Sequence, residues 1–120
     1  MSSWHPQPRR GEVWMVNFDP TVGSEIGKQR PAVVISSDAV GKLPVKLVAP
    51  ITGWQEKFAG NLWHVQILPT ATNGLTKESA IDALQVRSVS VDRFGRRLGR
   101  VLDAELEEVV HALAAVVELT

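Results

Sequence analysis

Apolar residues fall in short runs along the chain, many of them β-branched or aromatic, and the breaks between runs carry Gly, Pro, Asn or Asp. Runs of this kind predict strands and the breaks predict turns. Glu-Val-Trp-Met-Val-Asn-Phe over 12–18 predicts a first strand at about 11–18. Asp19-Pro20 ends it, because proline has no N–H to donate and restrains the residue before it. Gly23 and Gly27 then bracket Ser24-Glu25 in a polar loop. Arg30-Pro31 leads into Ala32-Val33-Val34-Ile35, a second strand at about 31–37.

The third strand, about 45–51, sets Val45, Leu47, Ala49 and Ile51 on one face and Lys46 and Val48 on the other. Pro50 argues for an edge or a strand end, since it cannot complete a central ladder. Residues 53–62 read as a loop holding Trp54, Lys57 and Phe58. Residues 63–68 alternate as a fourth strand, and Asn73-Gly74 marks a turn that favours positive φ. A short strand or turn at 79–84, a strand at 85–91 and a turn with a last short strand at 94–102 follow. Asp103 fits a helix N-cap, with Glu105, Glu107 and Glu108 where the helix dipole favours acids. Leu106, Val109, Val110, Leu113, Val116 and Val117 keep helical spacing, so a helix over 103–119 closes the chain. Residues 1–9 read as a loose N-terminal arm, from which Trp4 could still dock on the body. Many short strands followed by one helix predict a mainly β domain, a small and strongly bent antiparallel sheet or barrel with a C-terminal helix.

Length and composition narrow the picture. The 120 residues fit a single domain, 1–120. There is no cysteine, hence no disulfide framework and no thiolate metal site. No apolar run approaches membrane-spanning length and the N-terminus lacks a signal-like apolar core, so a soluble, cytoplasmic protein with no membrane association is expected. Net charge is zero but unevenly spread: residues 1–102 hold all 13 Lys and Arg and carry +5, and residues 103–120 carry −5. One reading is a solvated acidic helix on an ordinary core. The other is a basic surface for nucleic acid with the acidic segment packed away from it.

Several kinds of chemistry lack their residues. His5, His64 and His111 are scattered and have no partner at ligand spacing, so no metal site and no cofactor are expected. Neither a Gly-rich nucleotide loop nor a Gly-x-Ser-x-Gly elbow occurs. The rim between the first two strands is different, because Ser24, Glu25, Lys28 and Arg30 set an anion, cations and flexible backbone side by side, suited to work on a phosphate. Arg30 offers five donors in a planar fork, or it is a surface arginine paired with Glu25. Thr52 could donate to a phosphate oxygen, or bond its own turn. Glu25 orients Arg30, contacts a base edge, or caps its turn. Lys28 could meet phosphate and Gln29 a base. Trp54 and Phe58, with Lys57 nearby, could stack unpaired bases or simply pack on their own domain.

Seven pieces of the sequence together resemble the MazF/PemK family of toxins. They are Arg10-Gly11-Glu12-Val13-Trp14, Gly23-Ser24-Glu25, Gly27, Arg30-Pro31 with its apolar strand, Pro50-Ile51-Thr52, Asn73-Gly74-Leu75 and Gln85-Val86-Arg87. They stand in family order over nearly the whole chain. The resemblance implies an SH3-like barrel with a C-terminal helix, assembled as a homodimer. It implies an endoribonuclease that cuts single-stranded mRNA at a short preferred sequence, without metal, and is inhibited by a cognate antitoxin. Arg30 matches the family's catalytic arginine and Thr52 its catalytic threonine. Ser24, Glu25, Lys28, Gln29, Trp54, Lys57 and Arg87 become RNA-binding candidates, Gln85 and Arg87 having a structural reading as well. RNA cleavage of this kind needs a base for the 2′-hydroxyl proton, charge stabilisation on the phosphorane and a proton for the leaving 5′-oxygen. Arg30 is expected to stabilise charge and take part in proton transfer, and Thr52 to hold the phosphate. One branch of the family has an Arg-x-Asp set before Gln85, where this chain has Asp82-Ala83-Leu84. The alternative within the same fold is a toxin that poisons DNA gyrase and has no nuclease activity.

Overall fold

The computed structural model describes residues 7–41 and 43–119, so the first six residues of the arm, Trp4 included, lie outside the described part. Within the rest of the arm Pro8 is buried, and the Arg9 guanidinium pairs with Asp38. Seven strands form one antiparallel arrangement: β1 (Glu12–Asn17), β2 (Gln29–Val34), β3 (Val45–Gly53), β4 (His64–Ile67), β5 (Ser79–Asp82), β6 (Arg87–Ser90) and β7 (Phe94–Arg100). One helix, α1 (Asp103–Val116), follows. The strand order is β4-β5-β3-β2-β1-β7, with β6 also paired to β3.

β3 is the pivot of this order. One edge pairs β2 from Val48 to Pro50. The other edge pairs β6 from Val45 to Val48 and then β5 from Ile51 to Gly53. Pro50 is therefore inside the strand and between partners, where its sequence context argues for an edge or a strand end. It sits where β6 has ended and β5 has not begun, so its missing N–H leaves no bond unmade on that edge. A 3₁₀ turn at Val91–Arg93 joins β6 to β7, which returns to β1. The bent sheet so formed fits the SH3-like form expected.

Two apolar cores fill the fold, one on each side of the central strands. Val13, Val33, Ala49 and Ile51 face Leu106, Val109 and Ala112 of α1. Their sequence neighbours Trp14, Ala32, Val34 and Val48 face Phe18, Val89, Val91 and Phe94. The period of two thus feeds both cores at once. Glu12 is buried between them and fully engaged. It accepts from the Arg9 N–H at 2.7 Å and Trp14 Nε1 at 3.1 Å, and it pairs with Arg97 Nε at 2.9 Å. Arg10-Gly11-Glu12-Val13-Trp14 is accordingly an architectural motif.

Three boundaries differ from expectation. β2 starts at Gln29, because Asn17 and Val16 extend the ladder to Gln29 and Arg30, which puts Arg30 inside the strand. Leu102, not Asp103, is the residue before the helix, and its N–H donates to Glu105 Oε1 at 2.8 Å. The helix ends at Val116, where Glu118 turns into the left-handed region at φ 61, and Val117 is left 63% exposed.

The Asn73-Gly74 turn is held from within. Asn73 is buried, accepts from the Thr70 and Leu75 N–H groups and donates to the Leu68 carbonyl. Gly74 has φ +70, and a Cβ there would lie 2.2 Å from the Leu98 carbonyl oxygen. Gly74→Ala is expected to destabilise the fold by more than about 1 kcal/mol, since both the backbone angle and the space are wrong for alanine. Urea unfolding reads this as a lower midpoint at unchanged slope.

Candidate active site

Arg30 and Thr52 come together through strand register. β2 and β3 pair Ala32 with Pro50, and continuing that register by two residues sets Arg30 opposite Thr52. Opposite residues of an antiparallel pair share a face. Thr52 and Gly53 are fixed from the other edge by Ala80 and Ser79 of β5. Arg30 is half-buried, and its Nε donates to the Gly27 carbonyl at 2.8 Å. That bond occupies one corner of the guanidinium and leaves the terminal nitrogens for a ligand. Gly27 is needed there, because a Cβ would come within 2.6 Å of both Asp19 Oδ1 and Thr21 Oγ1.

Glu25 does not pair with Arg30. Its carboxylate accepts from the Val22 N–H at 2.7 Å, which closes its own turn. The loop is pinned instead by Gln85, whose amide accepts from the Ile26 N–H at 2.7 Å and donates to the Ser24 carbonyl at 3.0 Å. Gln85 thus works as a structural clamp on the stretch that carries Arg30.

Two hollows meet at this point. One, of about 680 Å³, runs past Ser24, Trp54, Lys57, Phe58 and His64. The other, of about 330 Å³, runs past Gln29, Gly74, Lys77 and Arg96. Arg30, Thr52, Gly53 and Lys77 line both. The cations on these walls are Arg30, Lys57, Lys77 and Arg96, and the one carboxylate among the lining residues is Asp82. Asp82 is already engaged: Oδ1 accepts from the Leu84 and Gln85 N–H groups, and Oδ2 lies 3.5 Å from His64 Nε2. The double groove is therefore positive where a polyanion would lie.

Trp54 and Phe58 meet edge to face at 5.8 Å, and Phe58 stacks on the His64 ring at 3.9 Å. One face of Phe58 is thereby used within the domain. His64 Nδ1 lies 3.2 Å from Asn61 Nδ2, and Nε2 lies 3.5 Å from Asp82 Oδ2. With both ring nitrogens engaged and the side chain 8% exposed, His64 supports the groove wall, as its place in an alternating strand suggested.

The remaining candidates are spread more widely. Lys28 lines neither hollow, and its backbone, at φ 67, bonds Asp19 Oδ1 and the Phe18 N–H. Arg87 lies in a separate hollow with Phe18, Glu25 and Pro50, where Nη1 donates to the Phe18 carbonyl at 3.2 Å and the guanidinium sits over the Phe18 ring. Lys77 and Arg96 were not singled out in the sequence. The signal for Lys77 was its place three residues after Asn73-Gly74, close to a strand that pairs β3.

Among the described residues no three His, Cys, Asp or Glu side chains gather at one point, and no helix is long and apolar enough to cross a membrane.

Residues 9–117 match the family described as PemK-like, MazF-like toxin of type II toxin–antitoxin systems. Endoribonuclease MazF9 of Mycobacterium tuberculosis is 39% identical over 112 residues, spanning 88% of this chain and 92% of that protein. The structure of MazF from Deinococcus radiodurans superposes with a TM-score of 0.77 at 25% identity, over 97% of this chain and 99% of that one. A MazE–MazF structure from the same organism gives a TM-score of 0.73 at 26% identity, over 94% and 98%.

Proposed function

The chain belongs to the PemK-like, MazF-like toxin family, and on that premise we propose that it is an endoribonuclease that cuts single-stranded mRNA at a short preferred sequence. The observation that supports this reading most is that Arg30 and Thr52, two residues beyond the last β2–β3 pair, both line the two cation-lined hollows. A guanidinium and a hydroxyl on one face can hold the non-bridging oxygens of a phosphate and stabilise the added charge of a phosphorane. The 2′-hydroxyl next to the scissile phosphate attacks phosphorus, leaving a 2′,3′-cyclic phosphate and a 5′-hydroxyl. No metal takes part, since Arg30 and its neighbouring cations supply the positive charge. Ser24, Gln29, Trp54 and Lys57 line the two hollows and meet flanking nucleotides, Trp54 by stacking.

The protein acts in the cytoplasm as a homodimer, and a cognate antitoxin restrains it. MazE is the partner in the Deinococcus complex. A flexible acidic segment laid across this positive groove would compete directly with RNA.

Thr52→Ala tests the reading at its less charged corner. Loss of one neutral donor is expected to slow cleavage roughly 10²-fold, the lower end for a preorganised transition-state contact. Single-turnover rates on an RNA cut by the wild type measure it. Cleavage at the wild-type rate would remove Thr52 from the site.

A further inference from the structure

Lys77 occupies the centre of the groove. It is one of four residues that line both hollows, with Arg30, Thr52 and Gly53. Its backbone is tied to the start of β5, where the Ser79 hydroxyl donates to the Lys77 carbonyl at 2.9 Å and Ser79 pairs with Gly53. Its side chain crosses Gly53. A Cβ on Gly53 would lie 3.1 Å from Lys77 Nζ and 3.3 Å from Cε. The glycine beside Thr52 is thus the seat of the lysine. Among the described residues no carboxylate stands within ion-pair distance of Nζ.

Arg30 is expected to share in proton transfer, yet the other members of this set give up a proton less readily than an ammonium does. Arginine holds its proton at any ordinary pH, and Gly53 has no side chain. Threonine offers a neutral hydroxyl that donates without transferring. A lysine ammonium combines positive charge with a transferable proton. Resting on the endoribonuclease reading, we propose that Lys77 is a catalytic residue that protonates the leaving 5′-oxygen, while Arg30 and Thr52 hold the phosphate.

The step balances as follows. The 2′-oxygen bonds to phosphorus and its proton passes to water. The bond from phosphorus to the 5′-oxygen breaks with its electron pair on that oxygen. Lys77 gives the 5′-oxygen a proton, and the resulting amine regains one from water.

The test compares two versions of an RNA that the wild type cuts: the natural one, and one with sulfur in place of the bridging 5′-oxygen at the cut. A thiolate leaves without protonation. Lys77→Ala and Lys77→Arg are run beside wild type and Arg30→Ala, with thermal unfolding and binding of a 2′-deoxy analogue to show that the variants fold and bind. Both Lys77 variants are expected to lose at least roughly 10²-fold on the oxygen substrate, the scale of general acid catalysis, and to recover to within about 10-fold of wild type on the sulfur one. Arg30→Ala stays slow on both. Equal loss on both substrates, or no loss on the natural RNA, overturns the assignment while leaving the nuclease reading intact. A wild type that cuts no RNA ends that reading, and the role of Lys77 with it.

Discussion

Arg30→Ala is expected to slow RNA cleavage roughly 10³-fold, at the upper end of what one preorganised transition-state contact contributes. The size follows from the geometry. Arg30 and Thr52 line the same two hollows, and the Arg30 Nε is fixed on the Gly27 carbonyl. The free nitrogens are held in place before substrate arrives, so little reorganisation is needed as charge builds on the phosphorane. Charged donors also contribute about twice what neutral ones do, which ranks this variant below Thr52→Ala in activity. The fold should survive, since among the described residues Arg30 pairs with no carboxylate and its side-chain bond is to one loop carbonyl. Thermal unfolding near that of wild type with lost cleavage is the expected pair of results. Cleavage within a few-fold of wild type would place the chemistry elsewhere.

A single 2′-deoxy substitution at the nucleotide 5′ to the cut is expected to abolish cleavage at that site. The 2′-oxygen is the nucleophile in the proposed reaction, so removing it removes the reaction rather than weakening a contact. Binding should change little. In the proposed reaction the strand is held by Arg30, Lys57, Lys77, Arg96 and the Trp54 ring, which line the hollows and suit phosphate and base faces. Competition of the deoxy strand against intact RNA measures the binding, and gel analysis measures the cutting. A deoxy strand that is cut at the same position would require another nucleophile, such as water.

Much of this site was legible in the sequence, and the part that was not has a physical reason. Arg30-Pro31 and Pro50-Ile51-Thr52 each stand out locally, yet their meeting depends on the register that sets Ala32 against Pro50. Neither strand alone contains that information. Lys77 and Arg96 escaped for the same reason, as they reach the groove from the Gly74 turn and from β7, far apart in sequence. The contact between His64 and Asp82 likewise needs the pairing of β4 with β5. The fold itself read well, because alternation along β1 to β3 is strong and α1 has a clear apolar stripe. Pro50 misled for an instructive reason. The rule that proline marks an edge assumes one partner per side, and β3 changes partner at that residue.

The most direct measurement is the end chemistry of the fragments made from a mixed-sequence RNA by the purified wild type in EDTA. The account predicts cuts at a recurring short sequence, with 2′,3′-cyclic phosphate on the upstream fragment and 5′-hydroxyl on the downstream one. Fragments with 5′-phosphate, or cutting that disappears in EDTA, would contradict the metal-free transesterification centred on Arg30 and Thr52. No cutting at all would contradict the nuclease itself and turn the question to gyrase-dependent DNA breakage.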